Sequence, residues 1–152
     1  MKLNNVLVFG LFVVSAFALG ACSDDNDDTL KPVVSNLEVG HSDTIHIGEG
    51  IHLEFEVEDD NRLDYYRITI HPEEDHEKSV GETLSWTYDS TFNEVSGLRN
   101  YTVHQHDIIV PETAEEGDYH FHLAVADQAG NVTEIEKDLV ASHEEGEHEH
   151  ED

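Results

Sequence analysis

Between Pro32 and Val140 the chain is a succession of short stretches in which apolar and polar positions alternate, separated by turn residues. This is the pattern of strands buried on one side only. Ile51 to Glu58 is the clearest: Ile51, Leu53, Phe55 and Val57 share one face, and His52, Glu54, Glu56 and Glu58 share the other. Leu63 to His71 turns Tyr66, Ile68 and Ile70 inward and Arg67, Thr69 and His71 outward, and Pro72 stops it because proline cannot donate to a ladder. Val33 to Gly40 forms a strand before these. Ser85 to Phe92, which carries the only tryptophan, Trp86, as a core residue, and Asn100 to Val110 form strands after them. Tyr119, Phe121, Leu123 and Val125 then alternate with His120, His122, Ala124 and Ala126, and the tight turn Asp127 to Asn131 leads into a last strand, Val132 to Leu139. About seven such strands predict an all-β fold with two packed sheets. Parity is ambiguous in one place. Tyr101 and Val103 share a face while His104, His106, Ile108 and Val110 share the other, so either those histidines point inward or a bulge near Asp107 resets the alternation.

Gly117-Asp118-Tyr119 at the start of the penultimate strand resembles the tyrosine corner of immunoglobulin-like sandwiches. The hairpin Asp127-Gln128-Ala129-Gly130-Asn131 resembles those of many bacterial immunoglobulin-like modules. Residues 32–140 therefore read as a single immunoglobulin-like β-sandwich, a length that suits one core. A fold of this kind does not specify an activity.

Ahead of the sandwich, Met1 to Cys22 carries one charge, Lys2, an apolar run from Val6 to Leu19 and then small residues, which is the form of a secretory signal. Leu19-Gly20-Ala21-Cys22 resembles the bacterial lipobox, which implies cleavage after residue 21 and a lipid on Cys22. Cys22 is the only cysteine, so the chain has no internal disulfide. Residues 22–31 read as an acidic tether, and residues 141–152 as a polar, disordered tail.

Composition narrows the partners. The 35 acidic residues outnumber the 7 Lys and Arg, for a formal charge of −28 with neutral histidines. Nucleic acid is excluded, because it is held by counterion-releasing Lys and Arg, and contact with a membrane is expected through the lipid alone. An enzyme is not expected: there is no G-x-S-x-G, no H-E-x-x-H and no glycine-rich phosphate loop, and only an open His-metal site could in principle support hydrolysis.

Histidine is the anomaly, with 12 residues where roughly three would be ordinary. With sandwich connectivity, His41, His46, His52, His71, His76, His104, His106, His120, His122 and His143, with His148 and His150, all fall toward the pole opposite the lipid anchor. Neutral imidazole is the commonest protein ligand for Zn, Cu and Ni, so this pole is expected to bind a divalent transition metal, zinc first. Antiparallel pairing should set His71 beside His120 and His122 as an open three-imidazole site, and should bring His52 toward His104 and His106. The tail histidines would be loose ligands, since ordering a flexible segment opposes binding. At the other pole Asp59, Asp60, Asn61, Asp64 and Asp127 offer a weaker case for Ca, because such residues serve turns without any ion.

The lipobox, the acidic Ser23 to Asp28, K-P-x-x-S-N-L-E-x-G (Lys31 to Gly40), S-G-L (Ser96 to Leu98), H-x-H (His104 to His106) and G-D-Y-H-F-H-L (Gly117 to Leu123) together resemble one Bacteroidota lipoprotein family, domain of unknown function 4625. The resemblance spans the mature domain and implies an outer-membrane lipoprotein facing the cell surface, with the periplasmic face as the alternative. It supplies no catalytic residues. Two functions remain in competition. One is metal capture, buffering or delivery to an outer-membrane uptake system. The other is an adhesion or interaction module for a protein or glycan, with the histidines as polar surface.

Overall fold

A computed structural model describes residues 28–73 and 85–143. Eight strands and no helix fill these residues: β1 (Val33–Val39), β2 (Thr44–His46), β3 (Leu53–Glu58), β4 (Leu63–Pro72), β5 (Tyr88–Phe92), β6 (Asn100–Gln105), β7 (Gly117–Asp127) and β8 (Val132–Ser142). They form two sheets, β1-β3-β6 and β2-β8-β7-β4-β5. Neighbours are antiparallel except β2, which pairs parallel with β8. This is the strand order of an immunoglobulin-like sandwich, with its first strand split between the two sheets.

The inward sets predicted for Ile51 to Glu58 and Leu63 to His71 are buried, and so are Tyr119, Phe121, Leu123 and Val125. Phe55 of β3 ties the layers by meeting Tyr66 of β4 edge-on with centroids 5.4 Å apart, and within the larger sheet Phe92 of β5 stacks on Tyr66 at 4.8 Å. The Tyr119 hydroxyl donates to the Glu115 carbonyl four residues upstream at 3.0 Å, which is the tyrosine corner. Burial raises the Tyr119 phenol above its ordinary pKa.

Four details differ from the sequence reading. There is an eighth strand, β2, whose three residues are too few to show an alternation. The strand predicted from Ser85 starts at Tyr88, and Trp86 lies ahead of it, half-buried, packed against Tyr88 and Tyr119. The strand predicted to reach Val110 ends at Gln105. Beyond it the chain loses ladder register, so that Val103, Ile108 and Val110 are buried while His104 and His106 are exposed. The reset of alternation, not the inward orientation, is what occurs. Finally, β8 runs on to Ser142, into the stretch read as tail.

Candidate metal-binding pole

The register of the five-stranded sheet sets His71 of β4 opposite His120 of β7, and His122 opposite Thr69. On the other side of β7, His120 faces Asp138 and His122 faces Glu136. All three imidazoles therefore lie on one outer face, each half-exposed. The Nε2 atoms of His71 and His122 approach to 3.1 Å with their rings stacked. The opposite nitrogens are also engaged. His71 Nδ1 lies 3.0 Å from the Pro72 carbonyl oxygen, and His122 Nδ1 lies 3.4 Å from Glu136 Oε1. His120 Nδ1 lies 3.0 Å from Asp138 Oδ1.

The Pro72 carbonyl only accepts, so His71 Nδ1 carries a hydrogen and, in the neutral ring, His71 Nε2 presents its lone pair toward His122 Nε2 at 3.1 Å. A proton on His122 Nε2, or a metal ion between the two nitrogens, satisfies that contact. Two Zn–N bonds of about 2.0–2.1 Å at a tetrahedral angle would set their nitrogens about 3.3 Å apart, close to the spacing found. A carboxylate or carbonyl behind each ring is also the usual outer shell of a metal-binding histidine. His120 adjoins the pair, with its ring centroid 5.5 Å from that of His71 and 6.4 Å from that of His122. Its free nitrogen does not converge with theirs. Among the described residues, the group of three His, Cys, Asp or Glu whose ligand atoms all lie within 4.8 Å is Asp28, Asp59 and Asp127, at the other pole.

A second imidazole group sits at the same end of the sandwich, beside the three-stranded sheet. His52 Nδ1 lies 3.3 Å from His106 Nε2, and His41 stacks on His52 with centroids 6.0 Å apart. A cleft of about 150 Å³ is lined by His41, His46, His52 and His106 together with Glu49. His46 Nδ1 is buried without a hydrogen-bond partner. The expected trio of His52, His104 and His106 is thus rearranged. His104 projects outward from β6, opposite Glu54, whose carboxylate it meets at 3.2 Å. Its place is taken by His41, in the turn before β2, and His46, the last residue of the three-residue β2, which strand parity could not assign. The local signals for them are Gly40, Gly48 and Gly50 in one short stretch. Gly40 has φ +63°, and a Cβ there would lie 2.0 Å from the Thr44 carbonyl oxygen, so only glycine lets the loop fold back to pair β2 with β8.

Gly50 has the same role for His106. A Cβ on Gly50 would sit 2.2 Å from the His106 carbonyl oxygen, in a place where Gly50 bridges to Ile109. Gly50→Ala is therefore expected to push the 106–109 segment away from His52, with a stability cost of about 1–3 kcal/mol. Chemical denaturation measures the cost, and the ring signals of His52 and His106 in two-dimensional NMR should shift while those of His71 and His122 stay in place.

His143 is exposed, and its backbone N–H donates to Glu116 Oε1 at 3.2 Å; it joins neither group through any contact seen here. His76, His148, His150 and Cys22 lie outside the described residues.

With this geometry in hand, comparison with known proteins places the chain. The family model described as "Domain of unknown function (DUF4625)" matches residues 20–141. The chain belongs to the DUF4625 family. No curated protein matches this DUF4625 chain in sequence. Among solved structures, it is similar to the sporulation control protein Spo0M from Bacillus subtilis (TM-score 0.43, 11% identity, 74% of this chain and 49% of that one). It is also similar to the soluble domain of PmoD from Methylocystis sp. ATCC 49242 (Rockwell) (TM-score 0.39, 12% identity, 73% and 90%). A third likeness is to a family 76 glycoside hydrolase from a bovine Bacteroides thetaiotaomicron strain (TM-score 0.32, 17% identity, 74% and 20%). The DUF4625 chain spans about half the length of Spo0M and a fifth of the hydrolase.

Proposed function

We propose that this DUF4625 protein is a lipoprotein, anchored through Cys22 to the outer membrane and exposed at the cell surface, that binds a divalent transition metal at its histidine-rich pole. Zinc is the first choice, with copper or nickel as alternatives. The observation that carries the reading is the approach of the Nε2 atoms of His71 and His122 to 3.1 Å, with His71 Nδ1 donating to the Pro72 carbonyl and His122 Nδ1 3.4 Å from the Glu136 carboxylate. A rotation of His120 toward the pair would add a third imidazole and leave one position open. Such a site is half-exposed and incomplete at rest, which suits reversible capture, buffering and hand-over to an uptake system better than permanent structural binding. The His41, His46, His52 and His106 cleft would serve as a second site of the same class.

Zinc titration of the metal-free full chain by calorimetry tests the reading. Binding tighter than that of a generic oligohistidine tag is expected at neutral pH. It should weaken as the pH falls, because protons compete with the metal for imidazole lone pairs. Binding no tighter than the tag would leave the adhesion reading standing and remove this one.

A further inference from the structure

The opposite pole carries a second, chemically different group that the imidazole sites do not involve. Asp59 opens the turn after β3, Asp127 closes β7, and Asp28 belongs to the segment leading into β1. One carboxylate oxygen from each lies within 4.8 Å of one from each of the others. Asp59 is 9% exposed and Asp127 is 2% exposed. Asp127 is held from behind: Asn131 N–H donates to its Oδ1 at 2.8 Å, and the Asn131 side-chain amide donates to Oδ2 at 2.7 Å. Asp59 Oδ2 accepts from Asn61 N–H at 3.0 Å, and Asp28 Oδ1 accepts from Leu30 N–H at 3.1 Å. The other oxygens, Asp59 Oδ1 and Asp28 Oδ2, are buried with no hydrogen-bond partner. No lysine or arginine forms an ion pair with any of the three among the described residues.

Buried carboxylate oxygens without donors are costly, and three carboxylates at this spacing repel. Burial, and the charges of Asp127, Asp28 and Asp60, raise the Asp59 carboxyl above its ordinary pKa. An all-oxygen group of three carboxylates lacking nitrogen or sulfur donors matches a hard divalent cation of calcium's class and not a soft metal. We infer that Asp28, Asp59 and Asp127 bind Ca2+, and that the ion fastens the segment ahead of β1 to the two turns beside it. Two contacts already dock that segment there: the Asn131 amide donates to the Asp28 carbonyl at 3.2 Å, and the Thr133 hydroxyl donates to the Pro32 carbonyl. The cation would set how firmly the sandwich is held to whatever precedes it. Of the five residues that sequence suggested for Ca, Asp59 and Asp127 take part. Asp60 is exposed, the Asp64 carboxylate faces Ser96 Oγ at 3.5 Å, and Asp28 enters from outside that group.

The test is thermal unfolding of the chelator-stripped full chain with added CaCl2, beside Asp59→Asn, Asp28→Asn and a His71→Ala/His122→Ala double variant. Calcium about 100-fold above its dissociation constant should raise the wild-type Tm by about 10 °C. The shift should persist in the histidine variant and fall by more than half in each aspartate variant. Asp28→Asn guards against a folding defect at the more buried Asp59. No shift at about 10 mM calcium overturns the inference. So does an equal shift in wild type and both aspartate variants, which would mean diffuse binding to an acidic chain.

Discussion

His122→Ala should lower zinc affinity at the five-stranded sheet by more than about 100-fold. Removal of an outer-shell partner alone typically costs 10–100-fold, and this substitution removes a direct ligand together with its link to Glu136. Calorimetric stoichiometry should fall by one site while the His41, His46, His52 and His106 cleft still binds. His122 is half-exposed on the outer face, so the Tm of the metal-free variant should stay within a few degrees of wild type. Glu136→Ala should give an intermediate loss within that 10–100-fold range. His104→Ala should have a far smaller effect, because His104 meets Glu54 at 3.2 Å and reaches the second group only through that carboxylate, which lies 4.0 Å from His52 Nε2. Retention of full zinc binding by His122→Ala would remove the proposed site.

Phe55→Ala is expected to be the most damaging single substitution to the fold. Phe55 is 0% exposed and its ring meets Tyr66 across the two sheets, so truncation leaves a cavity at the interface between the layers. Phenylalanine-to-alanine changes in such positions cost about 3–5 kcal/mol, against a total stability of about 5–15 kcal/mol for a domain of this kind. Urea unfolding followed by the fluorescence of Trp86 measures it. A loss below about 1 kcal/mol would mean that the two sheets do not depend on this contact.

The His71, His120 and His122 face was legible because it needs only period-two alternation and antiparallel pairing: a histidine just before a strand-stopping proline, and an H-x-H opening a later strand, meet once β4 and β7 are neighbours. The cleft was only half legible. His52 and His106 follow from the same logic, but His106 lies past the end of β6, where the ladder no longer fixes direction. His41 and His46 are positioned by a glycine-dependent reversal and by the parallel pairing of β2 with β8, and a contact made by three residues leaves no periodic trace. Asp28 was read as tether because local sequence does not show where a polar segment docks. It is brought to Asp59 and Asp127, distant in the chain, by Asn131 and by the turns.

By itself, then, the sequence determined the sandwich, the inward residues of its main strands, and the gathering of the described histidines at one end. Each of these depends on alternation and connectivity, which are written residue by residue along the chain. Tertiary structure alone decided which nitrogens and oxygens converge: the two Nε2 atoms 3.1 Å apart, the substitution of His41 and His46 for His104, and the acidic pocket closed by Asp28. Convergence to within a few ångströms depends on register shifts, positive-φ turns and side-chain partners drawn from separate strands, and these exist only once both sheets have packed.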